Sequence, residues 1–452
     1  MWVRDERSVD AFHKNGPHLF YVYERNFMNN KIETWIWTQG QLADELKKKV
    51  PEITAATPMS WGRTNNFMVG DKAVKEDGFC ANASFFSIFS YPLLAGTAAD
   101  ALSAPGSIAI SRKMATELYG SPLAAMGKSL KYENTKDLTV KAVFEDVPAN
   151  VSSPFNYIMS WPTYLEDNPW ALDWNPVDPR TVIQLRPDAD PAAVERKLTH
   201  FLDGYPTANK TNIRVELGLQ RFDQNYLYGA YNNGHPSGTR IAYVRLFSLV
   251  ALFILLIACI NFMNLTTARS IYRGKEIGIR KVVGAKRSVL RWQFIGEALL
   301  LTGISMMLAL LIVALTLPFF NLLTGKQIVL PLTAPLFWAA LAGLVVVTGT
   351  GSGIYPAFFL SAFQPIRVLR GSLKTGAGAV WLRKGLVVFQ FVLSISLIIA
   401  TLLISRQVRF LQSANLGYDR ENLLYMPLEG ALQQKTALFT GMAARLPGVQ
   451  SV

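Results

Sequence analysis

Apolar residues are distributed along this chain in two regimes. Over residues 1–243 they alternate with charges at short periods, whereas from Leu246 onward they run through four uncharged stretches: Leu246–Ala268, Ala298–Gly325, Gln327–Ile366 and Gly385–Ser405. Each stretch can supply the roughly 20 apolar residues that cross a bilayer. A charge at the centre of such a helix costs about 2.5–3.5 kcal/mol, so charge-free runs of this length are a membrane signature. Four spans are predicted. The third stretch, at 40 residues, has length for two crossings, but these would put the flanking basic loops on opposite sides. It is read as one helix, Leu336–Leu360, with Ile328–Pro335 as its outer approach.

The first regime reads as mixed α and β. Leu42, Leu46 and Val50 in QLADELKKKV recur at helical spacing, and Met114 and Leu118 in SRKMATELYG predict a short helix capped by Ser111. In LTVKAVFEDVP, Leu138, Val140, Ala142 and Phe144 alternate with more polar neighbours, as a half-buried strand requires. Thr181–Leu185 and Ile213–Leu219 are further strands, and Asp190-Pro191 opens a helix running through Leu202. Two small α+β subdomains fit the length, the second partly assembled from residues after 150. The aromatic segment Phe79–Tyr91 (FCANASFFSIFSY) reads as core.

Charge adds an orientation. The net charge is +13, and it is concentrated. Between the first two spans, Arg269, Arg273, Lys275, Arg280, Lys281, Lys286, Arg287 and Arg291 face only Glu276, a local +7. Between the last two, Arg367, Arg370, Lys374, Arg383 and Lys384 face no acid, a local +5, while the loop around Leu323–Leu332 has one lysine. This positive-inside pattern puts both basic loops in the cytoplasm and residues 1–243 and the tail after Ser405 outside. Basic surface at that depth suits anionic lipid headgroups and argues against a nucleic-acid partner.

An external domain without a leader is unexpected. Met1–Arg7 has no apolar stretch, so a further span is expected upstream. Gly417–Leu424 opens new soluble structure after the last span, and the chain reads as the middle of a longer protein. Catalytic constellations are missing. His13, His18, His200 and His235 lack metal-ligand spacing, and Gly325-Lys326 lacks the spaced glycine of a phosphate-cradling loop. Cys80 and Cys259, one external and one within a span, imply no disulfide framework.

The first span runs directly into a basic helix. On a helical projection Arg273, Arg280 and Arg287 repeat every seven residues beside Glu276 and Arg291, while Ile279, Val282, Val283 and Leu290 take another face. Periodicity alone allows two readings: an amphipathic helix lying on headgroups, or a coupling helix with an apolar ridge to bury in a cytosolic motor and charges to set its register.

The run Cys259–Ser270 (CINFMNLTTARS), followed by Lys275–Ala285 (KEIGIRKVVGA), resembles the hallmark of ABC-transporter permeases of the MacB/FtsX type. Tyr355–Ser361 (YPAFFLS), Gln364-Pro365 and Leu369-Arg370-Gly371 resemble the same family's next cytoplasmic boundary. Asp10–Asn15 (DAFHKN) and Asn261–Arg269 point to the duplicated, Bacteroidetes-type form with two permease halves. The resemblance implies a multi-pass α-helical membrane protein with a large α+β extracytoplasmic domain, in a type VII-like ABC permease architecture. Residues 1–240 then correspond to a MacB-like periplasmic core domain. Residues 241–370 form an FtsX-like permease domain, with spans at 244–266, 293–318 and 336–360 and a coupling helix at 270–291. A basic linker at 371–384, a fourth span at 385–405 and the start of a second external domain at 406–452 complete it. The family's first helix and most of its second half would lie outside this chain.

The resemblance also implies a mechanism: a separate cytosolic ABC ATPase binds ATP and drives the external domain through the helices. Glu276, Ile277, Arg280, Lys281, Gly284 and Ala285 match the family's coupling motif and are expected to contact that ATPase. Relatives tend to carry Ala at Gly274, so the helix is expected to start later here, glycine costing a helix up to about 1 kcal/mol. Within the spans Asn261, Asn264, Gly349, Gly353 and Pro356 are expected to pack helices together. The expected function is a permease subunit, not itself an enzyme and without a cofactor of its own. It would export drugs, peptides or lipidated substrates from a bacterial inner membrane, with a periplasmic adaptor or outer-membrane tunnel as further partner. The alternative is FtsX-like signalling, in which the external domain activates a cell-wall hydrolase. A motorless, lipid-anchored binding protein is the third reading, against which the 259–285 motif speaks.

Overall fold

The computed structural model describes residues 1–175, 177–205, 214–361, 377–414, 422–426, 432 and 435–451. They divide into two compact units, one from Trp2–Val244 with Leu424–Val452, the other from Met1 and Arg245–Leu423.

In the first unit, α1 (Trp2–Ser8) leads into β1 (Leu19–Met28), which turns through Asn29-Asn30 into β2 (Lys31–Trp35). Both turn residues have positive φ, 46° and 60°, as a type I′ hairpin demands. Next come α2 (Leu42–Lys49) and β3 (Ile53–Met59). The chain then leaves this subdomain and returns only with β11 (Arg180–Leu185), α7 (Pro191–Leu198) and β12 (Arg214–Arg221). The strands pair in the order β3-β11-β1-β12, all antiparallel. This is a split β-α-β arrangement in which β1 and β3, joined by α2, leave room for β11 between them. Leu42, Leu46, Val194 and Leu198 pack α2 and α7 on Phe20, Val22, Ile183 and Leu217. Asp190 caps α7, accepting from the Ala192 and Ala193 N–H groups at 3.1 and 3.2 Å. The expected helix through Leu202 is shorter, ending at Leu198 with a separate 3₁₀ turn at Phe201–Gly204.

The second subdomain is the insertion between β3 and β11. It holds β4 (Arg63–Val69), β5 (Lys72–Ala81), α3 (Phe85–Ile88), β6 (Leu93–Ala95), β7 (Ser107–Ser111), α4 (Arg112–Tyr119), α5 (Pro122–Ala125), β8 (Ser129–Tyr132), β9 (Lys136–Phe144), β10 (Tyr157–Ser160) and α6 (Trp161–Asp167). Six of these strands close on themselves in the order β5-β10-β7-β9-β8-β4-β5, because β10 pairs with β7 on one edge and with β5, in parallel, on the other. Closure removes the exposed strand edges. In β9, Leu138, Val140, Ala142 and Phe144 are buried as their alternation predicts, and Ser111 caps α4 by accepting from Met114 N–H at 3.1 Å. The structure has two subdomains, and the inserted one takes β10 and α6 from beyond residue 150. The first subdomain is the discontinuous one, and β10 completes the inserted barrel.

An aromatic cluster forms where the two subdomains meet. Phe79, Phe85, Phe86, Phe89 and Tyr91 are buried there as core with Phe144, Phe155 and, from α8 (Phe222–Tyr228), Phe222. His13 lies within it, 3% exposed, its ring 5.1 Å from Phe89, 5.2 Å from Tyr91 and 5.5 Å from Phe222. Its Nδ1 accepts from the Ser90 N–H at 3.2 Å, which leaves the proton of the neutral ring on Nε2, where no partner is found. Burial lowers its pKa to about 4.

The second unit is helical: α9 (Arg240–Val282), α10 (Arg287–Thr324), α11 (Pro335–Ser361) and α12 (Ala377–Ser413); a short α13 (Thr436–Ala443), later in the chain, belongs to the first unit. All four long helices contain stretches apolar enough to cross a membrane: Arg240–Thr266, Arg287–Thr324, Pro335–Ile354 and Lys384–Ser413. Within the described residues of the long third uncharged stretch there is one helix, Pro335–Ser361. α9 runs unbroken through Gly274, so the expected late start does not occur; the remaining 42 residues of the helix outweigh one unfavourable glycine.

Candidate functional site

The 259–285 motif places its residues on the last turns of α9 and in the turn before α10. The expected single helix over 270–291 is broken here. α9 ends at Val282 in a Schellman motif, with Gly284 at φ +101°. Ala285 N–H donates to Arg280 C=O at 2.9 Å, and Gly284 N–H donates to Lys281 C=O at 3.1 Å. A side chain at such a φ meets the following carbonyl, so glycine terminates the helix and Arg287 begins the next one. The local signal was present in the sequence, a glycine directly after an apolar run. Gly284 thus shapes the hairpin.

Side chains across the hairpin fix its two arms. Glu276 and Arg280, one turn apart, form an ion pair at 2.7 Å. Arg280 Nη1 donates to Gln293 Oε1 at 3.0 Å, and Gln293 Nε2 to Glu297 Oε1 at 3.4 Å, which ties α9 to α10. Below this chain Ile277 packs with Leu290, Phe294 and Ala357. Ile277 is 3% exposed, its side chain turned inward against α10 and α11 rather than outward. The apolar surface that remains outward is Ile279, Val282, Val283, Val289 and Trp292, with Val283 82% exposed. Arg280, Lys286 and Arg287 are exposed beside it, and Ala285 is half-buried. Burial, and secondarily the neighbouring Arg287, lowers the Lys281 pKa, a mark of cations crowded at the turn. The side chains of Arg269, Arg273 and Lys275, and all of Arg367, Arg370 and Lys374, lie outside the described residues.

The expected packing residues divide. Gly349 and Gly353, one turn apart on α11, face α10 so closely that a Cβ would stand 2.8 Å from Leu299 Cδ2 and 2.8 Å from Ala298 Cβ respectively. Small residues at this spacing let two membrane helices touch along their backbones. Asn261 is exposed, and Asn264 has a buried Oδ1 without a partner. The Pro356 side chain lies outside the described residues. Among the described residues no cluster of His, Cys, Asp or Glu has metal-binding geometry.

Residues 1–201 match the family model of the MacB-like periplasmic core domain, and residues 248–365 that of the FtsX-like permease C-terminal domain. A macrolide export ATP-binding/permease protein MacB from Nitrobacter winogradskyi is 33% identical over 124 residues, 27% of this chain and 19% of that protein. The uncharacterized ABC transporter permease YvrN of Bacillus subtilis is 31% identical over 111 residues, 24% of this chain and 26% of that protein. The chain thus spans about a fifth to a quarter of the length of these curated relatives. The periplasmic region of MacB from Actinobacillus actinomycetemcomitans is similar over 46% of this chain and 91% of its own, with 16% identity and a TM-score of 0.35. With a MacB-like core domain followed by an FtsX-like permease domain on apolar membrane-length helices, the chain belongs to the MacB/FtsX-like ABC permeases.

Proposed function

We propose that this chain is the permease part of an ABC transporter, that a separate cytosolic ATPase docks on the α9–α10 hairpin, and that ATP hydrolysis there drives the external domain to export a drug, peptide or lipidated substrate. The observation that carries this reading is the exposed apolar tip of the hairpin. α9 continues 14 residues past Ala268, where its uncharged stretch ends, about 21 Å at 1.5 Å per residue, so Val282 and Val283 stand well beyond the uncharged stretch. An apolar knob at that distance, ringed by Arg280, Lys286 and Arg287, suits a groove in a soluble partner better than a headgroup layer. The Schellman turn and the Glu276–Arg280–Gln293 chain hold the knob rigid, as a part that transmits force needs. In this reading the basic hairpin lies on the cytoplasmic side of the inner membrane, residues 1–240 lie in the periplasm, ATP is bound by the partner alone, and a periplasmic adaptor or outer-membrane tunnel completes the route.

The test is co-purification of the full-length protein from gently solubilised membranes, as wild type, Val283→Asp and Glu276→Lys/Arg280→Glu. An ABC ATPase held by wild type and lost from both variants, at equal membrane levels, is expected. Retention by both variants, or no ATPase with wild type, sinks the docking site. The signalling alternative has no observation of its own among the described residues.

A further inference from the structure

Between the two subdomains of the external unit lies a cleft of about 450 Å³ that neither the coupling hairpin nor the family description uses. It is large enough for a small organic molecule. Its lining is mostly aromatic, with two charged residues, Asp10 and Arg180. Trp37 and Trp61 stack in it, ring centroids 4.5 Å apart and planes 20° from parallel, and Trp61 remains 55% exposed. A stacked tryptophan left half in water is an open platform.

Arg180 is the unusual member. It comes from the first residue of β11, and its guanidinium carbon sits 4.8 Å from the Trp37 ring centre and 5.8 Å from that of Tyr21. Cation–π contact satisfies the face of a guanidinium, but its N–H donors point outward in the plane and still need acceptors. Arg180 Nε is buried with no hydrogen-bond partner, although elsewhere the guanidinium hydrogen-bonds the Tyr21 side chain. A buried N–H without an acceptor on a half-buried cation is costly, and such a group calls for an explanation. Asp10 does not supply one. Its carboxylate accepts from Ser152 N–H at 3.0 Å and forms no ion pair with Arg180.

We propose that this cleft binds an organic anion, a carboxylate carried on an aromatic or branched apolar body, with Arg180 pairing the carboxylate and Trp37 and Trp61 stacking on the body. The charge sets the sign of the ligand and the aromatic walls set its body. The inference concerns the external unit alone and stands or falls apart from the docking of an ATPase.

Dansyl-phenylalanine, an aromatic carboxylate, and dansylcadaverine, a cation with the same fluorophore, are the probes. The full chain in lipid nanodiscs is titrated with each, and the saturable signal is read as energy transfer from tryptophan to dansyl. Wild type is expected to bind dansyl-phenylalanine at one site, with Kd raised at least tenfold by Arg180→Gln and by Trp61→Ala, and to show no saturable binding of dansylcadaverine. Trp61 is exposed enough that its substitution leaves folding intact, so that variant decides the matter if Arg180→Gln misfolds. Equal affinity for both probes, equal affinity in wild type and Trp61→Ala, or no saturable binding of the carboxylate up to millimolar concentration would overturn the proposal.

Discussion

Acidification should destabilise the external unit through one residue, His13. In the fold its imidazole is neutral, enclosed by Phe12, Phe89, Tyr91 and Phe222, and its pKa is lowered to about 4 from 6.5. The unfolded chain takes up a proton as pH falls below 6.5 and the folded chain does not until about 4. Stability is therefore whole above pH 6.5 and is lost as pH falls through that window. Linkage puts the loss, relative to pH 7, at about 2 kcal/mol by pH 5 and about 3 kcal/mol by pH 4. The protonated form is disfavoured locally as well, because Nδ1–H would point at the Ser90 N–H that it now accepts. His13→Asn retains an acceptor at the Nδ1 position and does not titrate. Urea unfolding of the full chain, followed by tryptophan emission, reads the external unit preferentially, since seven of the ten tryptophans lie within residues 1–244. The variant starts less stable for loss of the ring, so the quantity compared is the change between pH 7 and pH 4, in which that constant cost cancels. Carboxylates elsewhere titrate alike in both proteins. A slope in His13→Asn within about 0.5 kcal/mol of the wild-type slope over that range would refute the assignment.

Two further substitutions probe the helical unit. Gly353→Ala should push α11 off α10 through its contact with Ala298, lowering the melting temperature by an overpacking cost of about 1–3 kcal/mol; adding Ala298→Gly should restore most of it, and failure of that rescue would place the contact elsewhere. Gly284→Val forces a β-branched residue to φ near +101°, at about 1–2 kcal/mol or more. Hydrogen exchange at the amides of positions 284 and 285 should accelerate, and unchanged protection would show that the Schellman turn does not depend on glycine.

Much of the architecture was legible because its causes are local in sequence. β9 alternates along its own length, Ser111 and Asp190 stand one residue before the helices they cap, and the membrane helices declare themselves by length without charge. Gly284 was legible too, but the seven-residue repeat of Arg273, Arg280 and Arg287 runs across it as if through one helix, and a repeat carries no information about whether the chain between its members is continuous. The inward packing of Ile277 was not legible for a related reason. Helical periodicity says which residues share a face, but not whether that face meets a partner or the returning α10, and here Leu290 and Phe294 reach it first.

By itself, then, the sequence determined the two regimes, the four apolar helices, the charge asymmetry about them and the family motif, because each is a property of neighbours along the chain. Only the tertiary structure decided that β3 continues into β11 across an inserted barrel, that β10 closes the barrel by pairing with β5 as well as β7, and that Arg180 stands against Trp37 with an unused donor. These depend on pairings between residues up to about 140 positions apart, as in the Thr38–Thr181 hydroxyl contact. The free energy of such contacts is set by what the folded chain brings together, and no window along the sequence contains both partners.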